Sequence, residues 1–185
     1  MKILLASGSP RRKELLQSLG FTFEVVSADC DEIYPEGLSV DKIAAYLSEL
    51  KSNAFRKLAP GEVVITADTI VAVGTEVLGK PKDHAEAKAM LRRLSSKTHQ
   101  VYTGITVRNN EETVTATDVA DVEIDDISDE EIDFYIKNYK PFDKAGSYGV
   151  QEWLGMAKIR KINGSFYTVM GLPTHLLYAI LKDFE

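Results

Sequence analysis

The chain opens with a strand–turn–helix pattern, and this pattern constrains the fold more than any other segment. The apolar run at residues 3–6 predicts a buried strand, and Ser7 and Gly8 predict a tight turn. Ser9 is suited to cap a helix whose first residue is Pro10, because a missing backbone N–H costs nothing at that position. A strand that leads directly into a helix is typical of α/β proteins.

The first turn of this predicted helix carries Arg11 and Arg12, although a helix N-terminus already has partial positive charge and favours acids. Two cations are stabilised there when an anion lies between them and the unpaired backbone N–H groups, as in a phosphate site. The alternative is a pair of solvated surface arginines. The position in the first turn favours the phosphate site.

Strand and helix patterns alternate in the first half of the chain, and hairpin patterns follow. Strands are predicted at 21–28, 62–73 and 76–78, and helices begin at Ser39, Asp83, Ser128 and Pro173. Hairpins are predicted at 99–124, about Asn109-Asn110, and at 157–170, about Asn163-Gly164. These patterns predict an α/β fold with a mixed sheet, in which the hairpins form a second lobe and a cleft holds the ligand.

Composition restricts the class of protein. The 185 residues suit one domain or two tight lobes, and the net charge of −6 disfavours a nucleic-acid surface. Cys30 is the single cysteine, so an internal disulfide is excluded and a cysteine zinc site is disfavoured. The sequence has no signal-type or membrane-length apolar run, which predicts a cytoplasmic protein without a membrane partner.

Asp68 lies inside the predicted strand 62–73, between the apolar residues Ile65 and Ile70. A carboxylate in such a run pays a large desolvation cost unless it is paired or binds a metal. The alternative is a residue at a strand end that caps a neighbouring turn. We favour a functional role for Asp68.

Further acids and cations accompany Asp68. Glu32, in an acidic loop, supplies the carboxylate type that suits Mg²⁺ or Mn²⁺. Lys51 lies near the apolar side of a predicted helix, and Lys80 lies between Gly79 and Pro81. Taken singly, a solvated acidic loop and surface lysines explain these residues. Their joint occurrence predicts a metal-bridged polyphosphate site, where lysines act as point charges.

Gln151 ends a glycine-containing loop that begins at Asp143. Its amide offers an acceptor and two donors, which can pair with the N3–H and a carbonyl of uracil or thymine. A structural loop is the alternative, and the chemistry of the residues alone does not separate the two.

Several ordered motifs, spread nearly end to end, resemble the Maf proteins, which are nucleoside triphosphate pyrophosphatases related in fold to the Ham1/ITPase group. The resemblance rests on Leu-Ala-Ser-Gly-Ser-Pro-Arg-Arg (5–12), Ala-Asp-Thr-Ile-Val (67–71), Gly-Lys-Pro (79–81), Asp-Lys-Ala-Gly (143–146), Lys-Ile-Asn-Gly-Ser (161–165) and Gly-Leu-Pro (171–173).

The resemblance implies one Maf-like domain over residues 1–185, a Maf/ITPase-like fold with an elongated mixed sheet and a central cleft, and a homodimer. It implies divalent-metal-dependent hydrolysis of a nucleoside triphosphate to the monophosphate and pyrophosphate. Tyr-Gly-Val-Gln (148–151) resembles the branch that acts on dTTP and UTP, in which Arg11, Thr69 and Gln151 match the specificity positions.

The resemblance also assigns roles to residues. Asp68 is implied as the proton acceptor, and Glu32 with Asp68 as the metal ligands. The substrate-binding residues are implied to be Ser7, Arg11, Arg12, Lys51, Thr69, Lys80 and Gln151. Ser52 departs from the family pattern, where alanine is expected after the helix lysine, and this weakens the assignment of Lys51.

A nucleotide-binding regulator of cell division with little turnover is the alternative function, because some Maf relatives are linked to septum inhibition. Binding a triphosphate needs the same cations as hydrolysing it. Asp68 favours the enzyme, because pure binding gains little from a carboxylate that faces phosphates.

Overall fold

A computed structural model describes residues 1–184, and the N-terminal strand, turn and helix form as predicted. The strands are β1 (Lys2–Ala6), β2 (Phe23–Val26), β3 (Glu62–Val73), β4 (Glu76–Leu78), β5 (Thr98–Arg108), β6 (Thr113–Ile124) and β7 (Ile159–Asn163). The helices are α1 (Pro10–Ser18), α2 (Val40–Ala54), α3 (His84–Leu94), α4 (Asp129–Tyr139), α5 (Trp153–Lys158), α6 (Phe166–Met170) and α7 (Thr174–Asp183).

The strands form one mixed sheet in the order β2-β1-β3-β5-β6-β7, with β4 paired to β3. Strand β1 runs parallel to β2 and to β3, while the β3–β4 and β6–β7 pairs are antiparallel. Strand β3 is buried along almost its whole length, as expected for a strand covered on both faces. The predicted α/β fold with a mixed sheet flanked by helices is confirmed.

The predicted helix starts are confirmed, with differences in capping. The Ser9 hydroxyl accepts a hydrogen bond from the Arg12 N–H, and Ser128 forms a full capping box with Glu131. Ser39 precedes α2 without a side-chain capping bond. Asp83 accepts from the Glu86 N–H at 2.9 Å and so caps α3 at its predicted start.

The second predicted hairpin, at 157–170, is wrong in its second half. Residues 159–163 form β7, but Phe166–Met170 is helix α6. The turn after Ser165 is helical, because the Ser165 carbonyl accepts from the N–H groups of Thr168 and Val169. A type I′ turn needs positive φ at both central residues, and only Gly164 has it, at 134°.

The chain divides into two compact units. The first comprises residues 1–69, 103–118 and the segment from Gly171 onward, and the second comprises 70–102 and 119–170. Each unit has its own fully buried side chains, among them Leu4 and Ile65 in the first and Leu91 and Ile132 in the second. The cleft predicted from the sequence stays a prediction.

Among the helices of residues 1–184, none combines the length and the apolar character needed to cross a bilayer.

Candidate active site

The Arg12 guanidinium is held by three oxygen acceptors of the first unit. Its Nε donates to the Gly171 carbonyl at 2.8 Å, Nη1 donates to Ser7 Oγ at 3.3 Å, and Nη2 donates to Thr69 Oγ1 at 3.2 Å. Burial lowers the pKa of Arg12, and the negative charge of Asp68 acts in the opposite direction. Because arginine keeps its proton in proteins, a fixed positive charge lies beside the turn before α1.

Asp68 and Lys51 form a buried ion pair. Lys51 Nζ lies 2.5 Å from Asp68 Oδ1 and 3.1 Å from Glu32 Oε1, and Asp68 is only 6% exposed. One ammonium thus joins the two carboxylates that the sequence predicts as metal ligands. This pairing explains how β3 carries an ionised group within an apolar run.

Lys51 is on helix α2. Close contacts between α2 and the sheet set the distance of this helix from strands β3 and β5. Gly104 on β5 lies directly against the α2 backbone, since a Cβ there would come within 2.3 Å of the Ala44 carbonyl oxygen. The Ser48 hydroxyl lies 2.8 Å from Thr106 Oγ1, and Thr66 Oγ1 donates to the Ser48 carbonyl at 2.6 Å. These contacts fix α2 against β3 and β5.

Ser52, the departure from the family pattern, is fully buried and bonded to Arg108. Arg108 Nε donates to Ser52 Oγ at 3.1 Å, and Nη2 donates to the Ser52 carbonyl at 2.7 Å. Carbonyls in the last turn of a helix need such external donors. The serine therefore adds an anchor directly after Lys51, where the sequence suggested a weakness.

The structure brings together most of the predicted residues within the first unit. Ser7, Arg12 and Thr69 are in direct contact, and so are Glu32, Lys51 and Asp68. Arg11 lies near enough for its charge to lower the pKa of Arg12. Lys80 and Gln151 belong to the second unit, where both are exposed, and their part in the site stays a prediction.

Three supporting contacts were missed by the sequence analysis, although Gly171 itself belongs to one of the motifs that it names. Thr103 Oγ1 lies 2.9 Å from Thr69 Oγ1, the Gly171 carbonyl accepts from Arg12, and Arg108 holds Ser52. They lie 34, 159 and 56 positions from their partners, so no local spacing indicates them. Thr103 and Arg108 reach the site on β5, and Gly171 reaches it in the turn between α6 and α7.

In the second unit, Gln151 lines a cavity of about 530 Å³. Exposed apolar and basic side chains border the same cavity, among them Met156, Arg160, Lys161 and Phe166. The cavity thus joins an amide and apolar surface to two cations that are paired with Glu123.

The donor set fits a divalent cation only together with a ligand. Within residues 1–184, no group of three or more His, Cys, Asp or Glu side chains is arranged to hold a metal. Mg²⁺ usually binds through one or two protein carboxylates plus substrate phosphates and water. Glu32 and Asp68 supply that number of carboxylates.

Fold and site together define a mixed α/β protein with a cationic cluster beside a buried carboxylate, which is the composition of a polyphosphate-binding site. A family model described as "Maf-like protein" matches residues 2–184. The chain belongs to the Maf family.

Curated relatives match along nearly the whole chain. A protein of Porphyromonas gingivalis named "dTTP/UTP pyrophosphatase" is 50% identical, with 99% of this chain and 94% of the relative covered. A protein of Bacteroides thetaiotaomicron with the same name is 49% identical over 98% of this chain and 95% of the relative. A solved structure of a Ham1 protein from Staphylococcus aureus aligns with 67% of this chain and 72% of its own at 20% identity and a TM-score of 0.42.

Proposed function

We propose that the protein hydrolyses dTTP and UTP to the nucleoside monophosphate and pyrophosphate. The observation that carries this proposal is the buried Asp68, paired to Lys51 and acting electrostatically on Arg12. The names of the curated relatives, at about half identity over nearly the full length, support the same activity and substrates. Modified pyrimidine triphosphates belong to the same chemical class of substrate.

The proposed reaction is attack of water on the α-phosphorus. A bond forms between the water oxygen and the α-phosphorus, and the bond from the α-phosphorus to the bridging oxygen breaks. Asp68 accepts the proton of the attacking water. Arg11, Arg12 and Lys51 neutralise the charge that develops on the departing pyrophosphate, with Lys80 assigned to the same role from the sequence.

A divalent cation, Mg²⁺ or Mn²⁺, is part of this proposal. Glu32 and Asp68 would hold it, and when bound it would polarise the phosphate and activate water. Lys51 is paired with both carboxylates, so its single positive charge offsets part of their negative charge.

Gln151 is proposed to recognise the base, with Arg11 and Thr69 as further specificity residues. The Gln151 amide is exposed in the second unit and is chemically suited to the N3–H and a carbonyl of uracil or thymine. Thr69 is already oriented, since its hydroxyl contacts both Arg12 and Thr103.

The proposed activity is tested by release of pyrophosphate from a panel of nucleoside triphosphates with Mg²⁺ or Mn²⁺. Asp68→Asn keeps the shape of the side chain but removes the base, so kcat should fall about 100-fold or more. Asp41→Asn, an exposed carboxylate on α2, is the matched control and should retain activity.

Unchanged turnover in Asp68→Asn would reject the assigned base. Tight binding of UTP without pyrophosphate release by the unaltered protein would instead favour the nucleotide-binding regulator of cell division.

We also propose a cytoplasmic homodimer that binds neither nucleic acid nor membrane, as the family resemblance and the net charge suggest. Sedimentation equilibrium of the purified chain tests the dimer, and a single species of monomer mass would contradict it.

A further inference from the structure

Gln151 occupies the third position of a hydrogen-bonded turn. The Gly149 carbonyl accepts from the Glu152 N–H at 3.0 Å, which closes the turn over residues 149–152. Val150, at the second position, is buried, while the Gln151 side chain is exposed. The backbone of this turn therefore determines where the amide of Gln151 is presented.

A single buried phenol binds both ends of this turn. Tyr135, on α4 and fully buried, accepts from the Gly149 N–H at 3.0 Å and donates to the Glu152 carboxylate. Burial and the bond to Glu152 raise the pKa of Tyr135, so the phenol keeps its proton at neutral pH. The same oxygen thus acts as acceptor to one end of the turn and donor to the other.

Lys144 completes the contacts of Glu152. Its Nζ lies 3.1 Å from Glu152 Oε1 and 2.9 Å from Asp143 Oδ1, and Lys144 is only 8% exposed. Lys144 and Glu152 pack directly on the turn, since a Cβ at Gly149 would lie 3.0 Å from an atom of each of these two side chains. On the other side, the Val150 carbonyl lies so close to Gly155 that a Cβ there would clash at 1.8 Å.

An amide side chain distinguishes uracil from cytosine only when its orientation is fixed. Uracil offers an N–H donor and a carbonyl acceptor, while cytosine offers the reverse at the same edge. Because an amide carries both a donor and an acceptor, a loosely held amide can rotate to satisfy either base. Selectivity therefore requires a rigid supporting structure.

We propose that Tyr135, with the Glu152–Lys144 ion pair, positions Gln151 so that the enzyme prefers uracil over cytosine. This inference rests on the proposed base recognition by Gln151. Tyr135, Glu152 and Lys144 are positioning residues, which act on the substrate only through the turn.

The test compares kcat/KM for UTP and CTP in the full-length protein. Tyr135→Phe removes only the oxygen that binds both ends of the turn, so the UTP-to-CTP ratio should fall about fivefold or more. The change should appear mainly as a raised KM for UTP, with kcat for UTP retained within about twofold. Tyr139→Phe is the matched control, because it removes the hydroxyl of an exposed tyrosine on the same helix and should leave the ratio unchanged.

Combining Tyr135→Phe with Gln151→Ala separates positioning from a general structural effect. Gln151→Ala should abolish the UTP preference, and Tyr135→Phe should then lower the ratio no further. An additional loss in the double variant, or an unchanged ratio in Tyr135→Phe alone, would overturn the positioning role. If Gln151→Ala leaves the ratio intact, base recognition by Gln151 itself is wrong, and the positioning role is overturned with it.

Glu152→Ala is measured in parallel, because it removes the carboxylate while the Gly149–Glu152 backbone bond can remain. It should lower the ratio in the same direction, and it decides the outcome if Tyr135→Phe does not fold. Retention of the full UTP preference in Glu152→Ala would contradict the proposal.

Discussion

At the scale of single residues, the Lys51 ammonium lies between the two carboxylates that are proposed to bind the metal. It lies 2.5 Å from Asp68 Oδ1 and 3.1 Å from Glu32 Oε1. A divalent cation bound by the same carboxylates must compete with this ammonium. Lys51 therefore has two opposed effects under the proposed function, since it assists phosphate binding and weakens metal binding in the absence of nucleotide.

Removing the ammonium should strengthen metal binding to the nucleotide-free protein. In Lys51→Met, the Mn²⁺ affinity measured by calorimetry or electron paramagnetic resonance should rise about fivefold or more, since an opposing charge next to both carboxylates is lost. Hydrolysis of UTP by the same variant should fall, because a phosphate contact is lost.

Lys42→Met, which changes an exposed lysine on the same helix, should leave the Mn²⁺ affinity unchanged. Weaker Mn²⁺ binding in Lys51→Met would show that Glu32 and Asp68 are not the metal ligands.

The site residues that could be predicted are those whose residue type is unusual for its place in the sequence. Asp68 is conspicuous because a carboxylate interrupts an apolar strand, and its pairing with Lys51 is a consequence of that burial. Thr103 and Tyr135 show no such anomaly, since a threonine in a strand and a tyrosine on a helix are ordinary. Their roles arise from contacts over 34 and 14 positions, which one sequence does not show.

At the scale of elements, the placement of α2 depends on a glycine in the facing strand. Gly104 lets the α2 backbone approach β5 so closely that a Cβ would lie 2.3 Å from the Ala44 carbonyl oxygen. Arg108, on the same strand, binds Ser52 near the other end of the helix. Strand β5 thus sets the position from which α2 extends Lys51.

Gly104→Ala should move α2 and destabilise the fold. The added methyl meets backbone, which cannot rotate away, so the free energy of unfolding should fall by about 3 kcal/mol or more. Chemical denaturation measures this loss. Gly79→Ala is the matched control, because no atom beyond the two neighbouring residues lies within 4 Å of the added methyl, and it should change stability by less than about 0.5 kcal/mol.

If Gly104→Ala were as stable as the parent protein, α2 could shift without a loss of stability. The position of Lys51 would then not depend on this contact.

Element boundaries were predictable where the capping signals agree with the hydrophobic pattern. Ser128 and Glu131 form a capping box at the predicted start of α4, and the buried strand 62–73 has the predicted limits. The prediction fails at Asn163-Gly164, where the pattern of a hairpin turn precedes a short helix. Gly164 is required there for a different reason, because a Cβ would lie 2.8 Å from Ala120 on the adjacent strand.

At the scale of the whole molecule, buried and paired groups link stability to pH. His99 is fully buried with Nε2 2.7 Å from Tyr148 Oη, and burial lowers its pKa to about 4. Within residues 1–184, His99 Nδ1 has no hydrogen-bond partner, so a proton added there would be an unpaired buried charge. Glu62, bound by Arg56, has its pKa lowered to about 2, which adds a separate loss of stability in stronger acid.

Between the ordinary pKa of 6.5 and the lowered value of about 4, the unfolded chain holds a proton on His99 that the native protein does not. Stability therefore falls as the pH drops through this window, and between about pH 7 and about pH 5 the loss from this residue should approach 2 kcal/mol. Urea denaturation across this range measures it.

In His99→Gln, the pH dependence over the same range should be flatter, although the variant loses stability at neutral pH. His175→Gln, at an exposed position, should reproduce the parent profile. An equally steep profile in His99→Gln would place the titrating group elsewhere.

Strand β7 is the outermost strand on one side of the sheet in residues 1–184, and a sheet edge invites aggregation through added strands. Its exposed residues Arg160 and Lys161 lie near Glu123 on β6, so this edge of the sheet carries charged side chains and is not a flat apolar surface. A strand from another molecule that docked there would have to desolvate these charges. The same few residues that complete the sheet therefore also protect the protein against uncontrolled self-association.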